Sequence, residues 1–273
     1  MSFAPVIPFT GYAGWKFLGR TLQTQQAAFA ASATRQRDDD YFREKIASIT
    51  TAEDLVADRR LLKVALGAFG LDADIDNRFF IRKVLEEGTL DTSDLANRLS
   101  NKSYAEFSRA FGFGDHTVPR TTLADFPDEI LTAYRERQFE VAVGEADNSM
   151  RLALYAQREL PMLAAKSTSA LTKWYSVIGS PPLAEVMRTA FGFPESFSAT
   201  EVDTQVANLQ RRADAMFGSS DPALFAEPAK VEKLVKMYLL RTQSAAGSVS
   251  AQSAALQLLQ GGAASRSDLL LRL

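Results

Sequence analysis

The sequence predicts an all-α protein, a compact helical bundle of two related multi-helix halves followed by a flexible C-terminal tail. Apolar residues recur at three- and four-residue spacing along nearly the whole chain, while the period-two alternation of strands is almost absent. The ending Ala-Phe-Gly closes an amphipathic run three times, in LGAFGLDAD, SRAFGFGDH and RTAFGFPES. The segments that follow the first and third of these endings come in the same order: helix, glycine, short helix, helix. Such units bury their apolar faces against one another.

Four regions are expected. They are an N-terminal segment with an amphipathic helix (1–37), a first helical half (38–145), a second half (146–242) and a Ser/Ala/Gln/Gly-rich tail (243–273). In the first region, Trp15, Leu18, Leu22, Gln25 and Phe29 follow a coiled-coil-like spacing with one polar interruption. Such a stripe either docks on its own domain or meets a partner, so Trp15, Leu18, Leu22 and Phe29 are the candidate partner contacts. The aromatic side chains of Tyr12, Trp15 and Phe17, and of Trp174 and Tyr175, read as core or docking contacts.

The first half opens on Asp38, Asp39 and Asp40, which suit the positive end of a helix. TTAEDLVADRRLLKVALGAFG then reads as one helix, with Thr50 and Glu53 in capping-box spacing and Leu55, Leu62, Leu66 and Phe69 along one side. Gly70, Gly112 and Gly192 each follow such a run and precede an apolar residue: Leu71, Phe113 and Phe193. A glycine just past a helix end takes the left-handed conformation cheaply, and the next apolar residue packs back on the last turn. The three glycines are therefore read as helix stops. A phosphate cradle would need its glycines before a helix N-terminus instead.

Two connecting helices, FPDEILTAYRERQFEVAVG and ADNSMRLALYAQREL, are expected to break near Gly144 and Pro161. In the second half, SPPLAEVMRTAFGFP carries Leu183, Val186, Met187, Ala190 and Phe191 on one stripe, with Ser180 as cap and Pro181 in the first turn. Val231, Leu234, Val235, Tyr238 and Leu239 form another stripe after Pro228. One short apolar helix is expected in the tail around Leu256 to Leu259.

Candidate chemistry is sparse. Formal net charge is −2, and acids and bases alternate in YFREK and AYRERQFE, which reads as solvated helix faces rather than a nucleic-acid surface. Cysteine is absent, which removes disulfides and thiolate chemistry. His116, the one histidine, sits in a loop beside Asp115 with no nucleophile signature near it. Asp72, Asp74 and Asp76 match the first three ligand positions of a calcium loop. Asn77 then stands where glycine is needed, and Lys83 where the bidentate acid is needed. Asp76 is better placed to cap the following helix. No cofactor, metal or catalytic residue is expected. There is no basic region ahead of an apolar core at the N-terminus and no run of 18 apolar residues, so neither a cleaved secretory signal nor a membrane span is expected.

Four long blocks carry a resemblance: YFREKIASITTAEDLVADRRLLKVALGAFGLDADIDNRFFIRKVLEEG, LANRLSNKSYAEFSRAFGFGD, RQFEVAVGEADNSMRLALYAQREL and KWYSVIGSPPLAEVMRTAFGFP. They resemble the domain-of-unknown-function family numbered 1217, from about Gly11 to Leu240. Its members are alphaproteobacterial and their genes tend to sit among flagellar genes, so the resemblance implies a flagellum-associated protein. It transfers no catalytic residue. The expected function is a non-enzymatic one, exercised through protein–protein contact as a structural or assembly component. A cytoplasmic chaperone or regulator of flagellar export or assembly is the alternative. The expected partners are flagellar proteins. Location is either cytoplasmic or flagellar, reached without a cleaved signal.

Overall fold

Residues 3–245 are described by the computed structural model, and among them every regular element is helical. The helices are α1 (Gly11–Ala30), α2 (Ala33–Lys45), α3 (Ala52–Ala57), α4 (Arg59–Gly67), α5 (Arg78–Glu87), α6 (Leu95–Arg98) and α7 (Ser103–Phe111). After them come α8 (Phe126–Ala146), α9 (Asn148–Ala165), α10 (Ala170–Ile178), α11 (Pro181–Phe191), α12 (Val202–Phe217) and α13 (228–245). The apolar helix expected around Leu256 to Leu259 lies outside the described residues.

Two main hydrophobic cores form. One gathers Phe42, Leu55, Leu62, Leu66, Phe107, Phe111 and Phe126 from α2 to α8. The other gathers residues of α8 to α13, including Trp174, Met187, Phe191, Leu234 and Tyr238, together with Trp15, Leu18 and Phe29 of α1. The N-terminal helix thus joins the core built by the C-terminal helices. Phe29 meets Phe139 of α8 edge-on, with ring centroids 5.7 Å apart.

Helix α8 serves both cores. Phe126, Ile130, Leu131 and Tyr134 enter the first, and Phe139 and Val143 the second. At about 100° per residue, the second set lies on roughly the opposite side of the helix from the first. Over its 21 residues the helix spans about 30 Å, enough to carry a core on each side.

Several local expectations are corrected. The stretch after Thr50 is two helices, because Asp58 leaves helical geometry and its Oδ1 accepts from the N–H groups of Arg60 and Leu61. Tyr41 donates to the other oxygen at 2.6 Å, which fixes this break. The cap lies one residue later than expected, with Thr51 Oγ1 accepting from Asp54 N–H. Asp38, Asp39 and Asp40 lie inside α2 rather than at its head. Helix α8 runs through Gly144 and stops at Asp147, whose carboxylate accepts from Ser149 and Met150 N–H and starts α9. Pro161 lies inside α9, where burial of Leu160, Leu163 and Ala164 holds the last turn despite the missing donor. Lys173 reaches back to the Ala164 carbonyl at 2.8 Å and satisfies that helix end. Ser180 precedes α11 without a side-chain cap bond, its hydroxyl lying 3.3 Å from that of Tyr155 instead.

The Ala-Phe-Gly endings have positive φ at each glycine: +70° at Gly70 and Gly112, +76° at Gly192. At Gly192 the N–H bonds Thr189 O and that of Phe193 bonds Arg188 O, the double closure of a Schellman turn. Gly70 and Leu71 make the same pair of bonds to Gly67 O and Leu66 O, while Gly112 closes with one bond to Ser108 O. Leu71 is buried, and Phe113 and Phe193 pack against the first and second core respectively.

Gly192→Ala is expected to cost about 1 kcal/mol, because a Cβ strains the left-handed turn even after Arg241 swings aside. Gly19→Ala, in the middle of α1 with open space around it, should stabilise by about 0.5–1 kcal/mol. Urea denaturation of the two variants checks both signs.

Candidate functional site

A cleft of ≈ 410 Å³ opens where the two cores meet. One wall is the Phe69–Gly70 turn with Asp72 and the start of α7. The other is the turn between α10 and α11, from Ser176 to Leu183. The α8–α9 hairpin forms the floor. Asp147 folds the two helices back on each other, so Arg137 meets Glu159, Glu140 meets Arg158, and Gly144 meets Arg151. A Cβ on Gly144 would lie 2.5 Å from Arg151 Cδ, so glycine allows the close approach at that end.

The floor is ionic and largely shielded from water. Arg158 donates to both oxygens of Glu140, at 2.7 and 3.1 Å, and its Nη1 donates to Glu159. Arg137 Nη2 makes a longer contact to the same Glu159 oxygen, 3.4 Å. These four side chains are 11–18% exposed. Burial alone would lower the Arg158 pKa, but the hydrogen bond to Glu140 and the charges of Glu140 and Glu159 outweigh it, so the guanidinium is held above its ordinary value. Its Cζ lies over the Tyr155 ring, 5.2 Å from the centroid. Burial pushes the Tyr155 hydroxyl up, partly offset by its bond with Ser180. Gln138 ties Asp72 to α8 at 2.7 Å, and the exposed pair Lys166–Glu106, 3.4 Å apart, links the second-core side to α7.

AYRERQFE is therefore only in part a solvated face. Glu136 is exposed, but Arg135, Arg137 and Glu140 enter pairs across helix junctions. Arg137 and Glu140 are one helical turn apart and share a side of α8, which is visible in the sequence. Their partners on α9 are not, because they depend on the hairpin register.

The residues singled out in the sequence do not converge on this cleft. His116 is exposed, and its backbone N–H bonds Gly112 O. Asp115 accepts from the N–H and hydroxyl of Thr89, tying that loop to the end of α5. The three carboxylates of the 72–76 loop diverge: Asp72 takes Gln138, Asp74 takes Tyr104 and Asn77, and Asp76 takes Arg59. Asp76 thus pairs with α4 instead of capping α5. Among the described residues, no group of three or more acids or histidines is placed to hold a metal ion. Of the glycine stops, Gly70 lines the cleft, while Gly112 lies by His116 and Gly192 by Arg241. Trp15, Leu18 and Phe29 are buried and Leu22 half-buried in the second core, so their apolar faces are covered by this chain itself.

Asp38 pairs with Lys63 at 2.9 Å, and Asp40 is exposed. Asp39 is buried. Its Oδ2 accepts from both Nε and Nη2 of Arg135, and its Oδ1 has no partner among the described residues. Burial pushes the Asp39 carboxyl above the usual carboxylate range, and Arg135 offsets this only in part.

Fold and cleft define a class: an all-α protein with two helical cores on a shared strut and an ion-paired cleft at their junction. Within that class, the chain belongs to the family described as Protein of unknown function (DUF1217), whose pattern matches residues 68–231 and so takes in both walls of the cleft. It is similar to an Agrobacterium tumefaciens protein of known crystal structure, at 26% identity and a TM-score of 0.72, covering 88% of this chain and 98% of the other. No curated protein matches. No helix of the described residues is long and apolar enough to cross a membrane.

Arg158→Met strands the buried Glu140 carboxylate and leaves Glu159 only its longer contact with Arg137, and is expected to cost about 3 kcal/mol, whereas Lys166→Ala breaks an exposed pair and should cost less than about 1 kcal/mol. Chemical denaturation at constant salt measures the contrast. For Asp39, a folded-state pKa above the unfolded one means stability is lost as pH rises. The stability of the wild-type protein relative to Asp39→Asn should therefore be greatest below the ordinary carboxylate range and fall as pH climbs through the raised Asp39 value. Paired urea curves at several pH values test the slope.

Proposed function

We propose that this is a non-enzymatic, flagellum-associated protein that acts by protein–protein contact, as a structural or assembly component. The observation that supports contact over chemistry is how the charged side chains are employed. At the cleft floor Arg158 bonds both Glu140 and Glu159, and in the 72–76 loop each aspartate bonds a different element. Both arrangements use charge to lock helices in place. Beside the cleft's ionic floor, Val141 and Met162 stay exposed, a mixture of apolar and polar surface that suits a contact face. The flagellar part of the reading comes from the family resemblance, and we read the two halves as related helical units.

A clean deletion in the native bacterium should abolish or impair swimming, with missing filaments or truncated basal bodies in electron micrographs. Normal swimming with normal flagella would overturn the flagellar reading. Fractionation of the same strain carrying a tagged copy separates two roles. Protein in basal bodies or culture supernatant marks a structural component, and protein held in the cytoplasm on a secreted partner marks a chaperone or regulator.

A further inference from the structure

The geometry points to the cleft as a binding site for a monocarboxylate with an apolar body, its carboxylate on Arg137 and its body along Val141 and Met162. This goes beyond the flagellar reading and does not depend on it. Arg137 carries five N–H donors in a fixed fork, yet its side chain is only 14% exposed and has one contact, at 3.4 Å, with a Glu159 oxygen already held by Arg158. Among the described residues, its Nε and Nη1 have no acceptor. Arg158, a turn away on the facing helix, shows what a buried guanidinium takes when acceptors are present: both oxygens of one carboxylate and one of another. Those nitrogens open to the solvent of the cleft rather than to the protein interior, so an acceptor that enters the cleft can reach them in place of water.

The chemistry of that acceptor follows from the lining. A guanidinium fork matches the two oxygens of a carboxylate. The cleft is lined by four cationic and four anionic side chains, and Arg158 beneath the floor leaves an excess of one positive charge, which suits a monoanion better than a dianion such as phosphate. The cleft is also lined by Val141, one turn from Arg137 on α8, and Met162, one turn from Glu159 on α9; they are 42% and 58% exposed and offer apolar surface on either side of the Arg137–Glu159 pair. At ≈ 410 Å³ the cleft falls among small-ligand sites, which run from about 300 to 1,000 Å³. The carboxylate can come from a small organic acid or from a partner's acidic side chain beside an apolar one.

The test follows the arginine side-chain N–H signals of the isotope-labelled full-length protein by NMR. Probes are hexanoate, the blocked dipeptide acetyl-Leu-Glu-amide, hexanamide and inorganic phosphate. A saturable shift of the Arg137 signal with hexanoate or the dipeptide, without one from hexanamide or phosphate, is the expected result. The carboxylate probe that binds more tightly identifies the source. Arg137→Gln should weaken binding by about tenfold or more. Met162→Glu, at an exposed position that leaves the core untouched, should weaken it as well, and guards against misfolding of the arginine variant. No saturable shift with either carboxylate, an equal response to hexanamide or phosphate, or unchanged affinity in a folded Arg137→Gln protein would overturn the proposal.

Discussion

One helix with two opposed apolar faces sets the architecture. Phe126, Ile130 and Tyr134 point α8 into one core, and Phe139 and Val143, about half a turn round, point it into the other. A helix with a single stripe would bury one side and leave the other to water. With the face switched partway along, each half of α8 needs its own cover, and the chain supplies it from both directions. Helices α2 to α7 precede α8 and cover the first face. The second is covered by α9 to α13 and by α1, whose Phe29 lies on Phe139. Arg35 donating to the Tyr134 hydroxyl and Arg135 pairing with Asp39 tie α2 to the same strut.

Where the face switches, neither core fully covers α8, and that is where charge enters. Residues 137 to 141 sit at the junction, and Arg137 and Glu140 are half or fully shielded there. Apolar residues of similar size could fill the same place without loss of stability, since desolvation takes back much of what a buried ion pair gains. What the pairs contribute is register. Sliding α9 along α8 by one turn separates Glu140 from Arg158 and Arg137 from Glu159 and leaves four shielded charges without partners. The Asp147 cap turns the chain, and the ionic seam selects one alignment of the two helices it joins.

The all-α fold was legible because most helices bury one continuous stripe. Leu183, Val186, Met187, Ala190 and Phe191 on α11 and Val231, Leu234, Val235, Tyr238 and Leu239 on α13 follow the helical period, and all of them are buried. The turns after α4, α7 and α11 were legible as well, since a glycine followed by an apolar residue carries the geometry locally. Legibility fails where an element obeys something distant. On α8 the two faces blur into a helix without a clear apolar side. The Asp58 break is fixed by Tyr41, 17 residues away, and Pro161 is tolerated only because the second core holds its neighbours. The cleft was invisible for the same reason. Its walls come from turns more than a hundred residues apart, and its charges, read along one helix, look like a solvated surface.

The stiffness of the cleft follows from which links cross it. Lys166–Glu106 joins the two sides, but both partners are largely exposed, and such a pair is worth at most about 1 kcal/mol. Asp72–Gln138 ties the first-core wall to the strut rather than to the opposite wall. The turn between α10 and α11 leans on α9 through the contact of Tyr155 with Ser180. Each wall is therefore anchored to its own face of the α8–α9 hairpin, and among the described residues only weak contacts join wall to wall. The hairpin is rigid because its seam is shielded and paired. The spacing of the walls is the softer coordinate, and it is the one along which the cleft can adapt to what enters it.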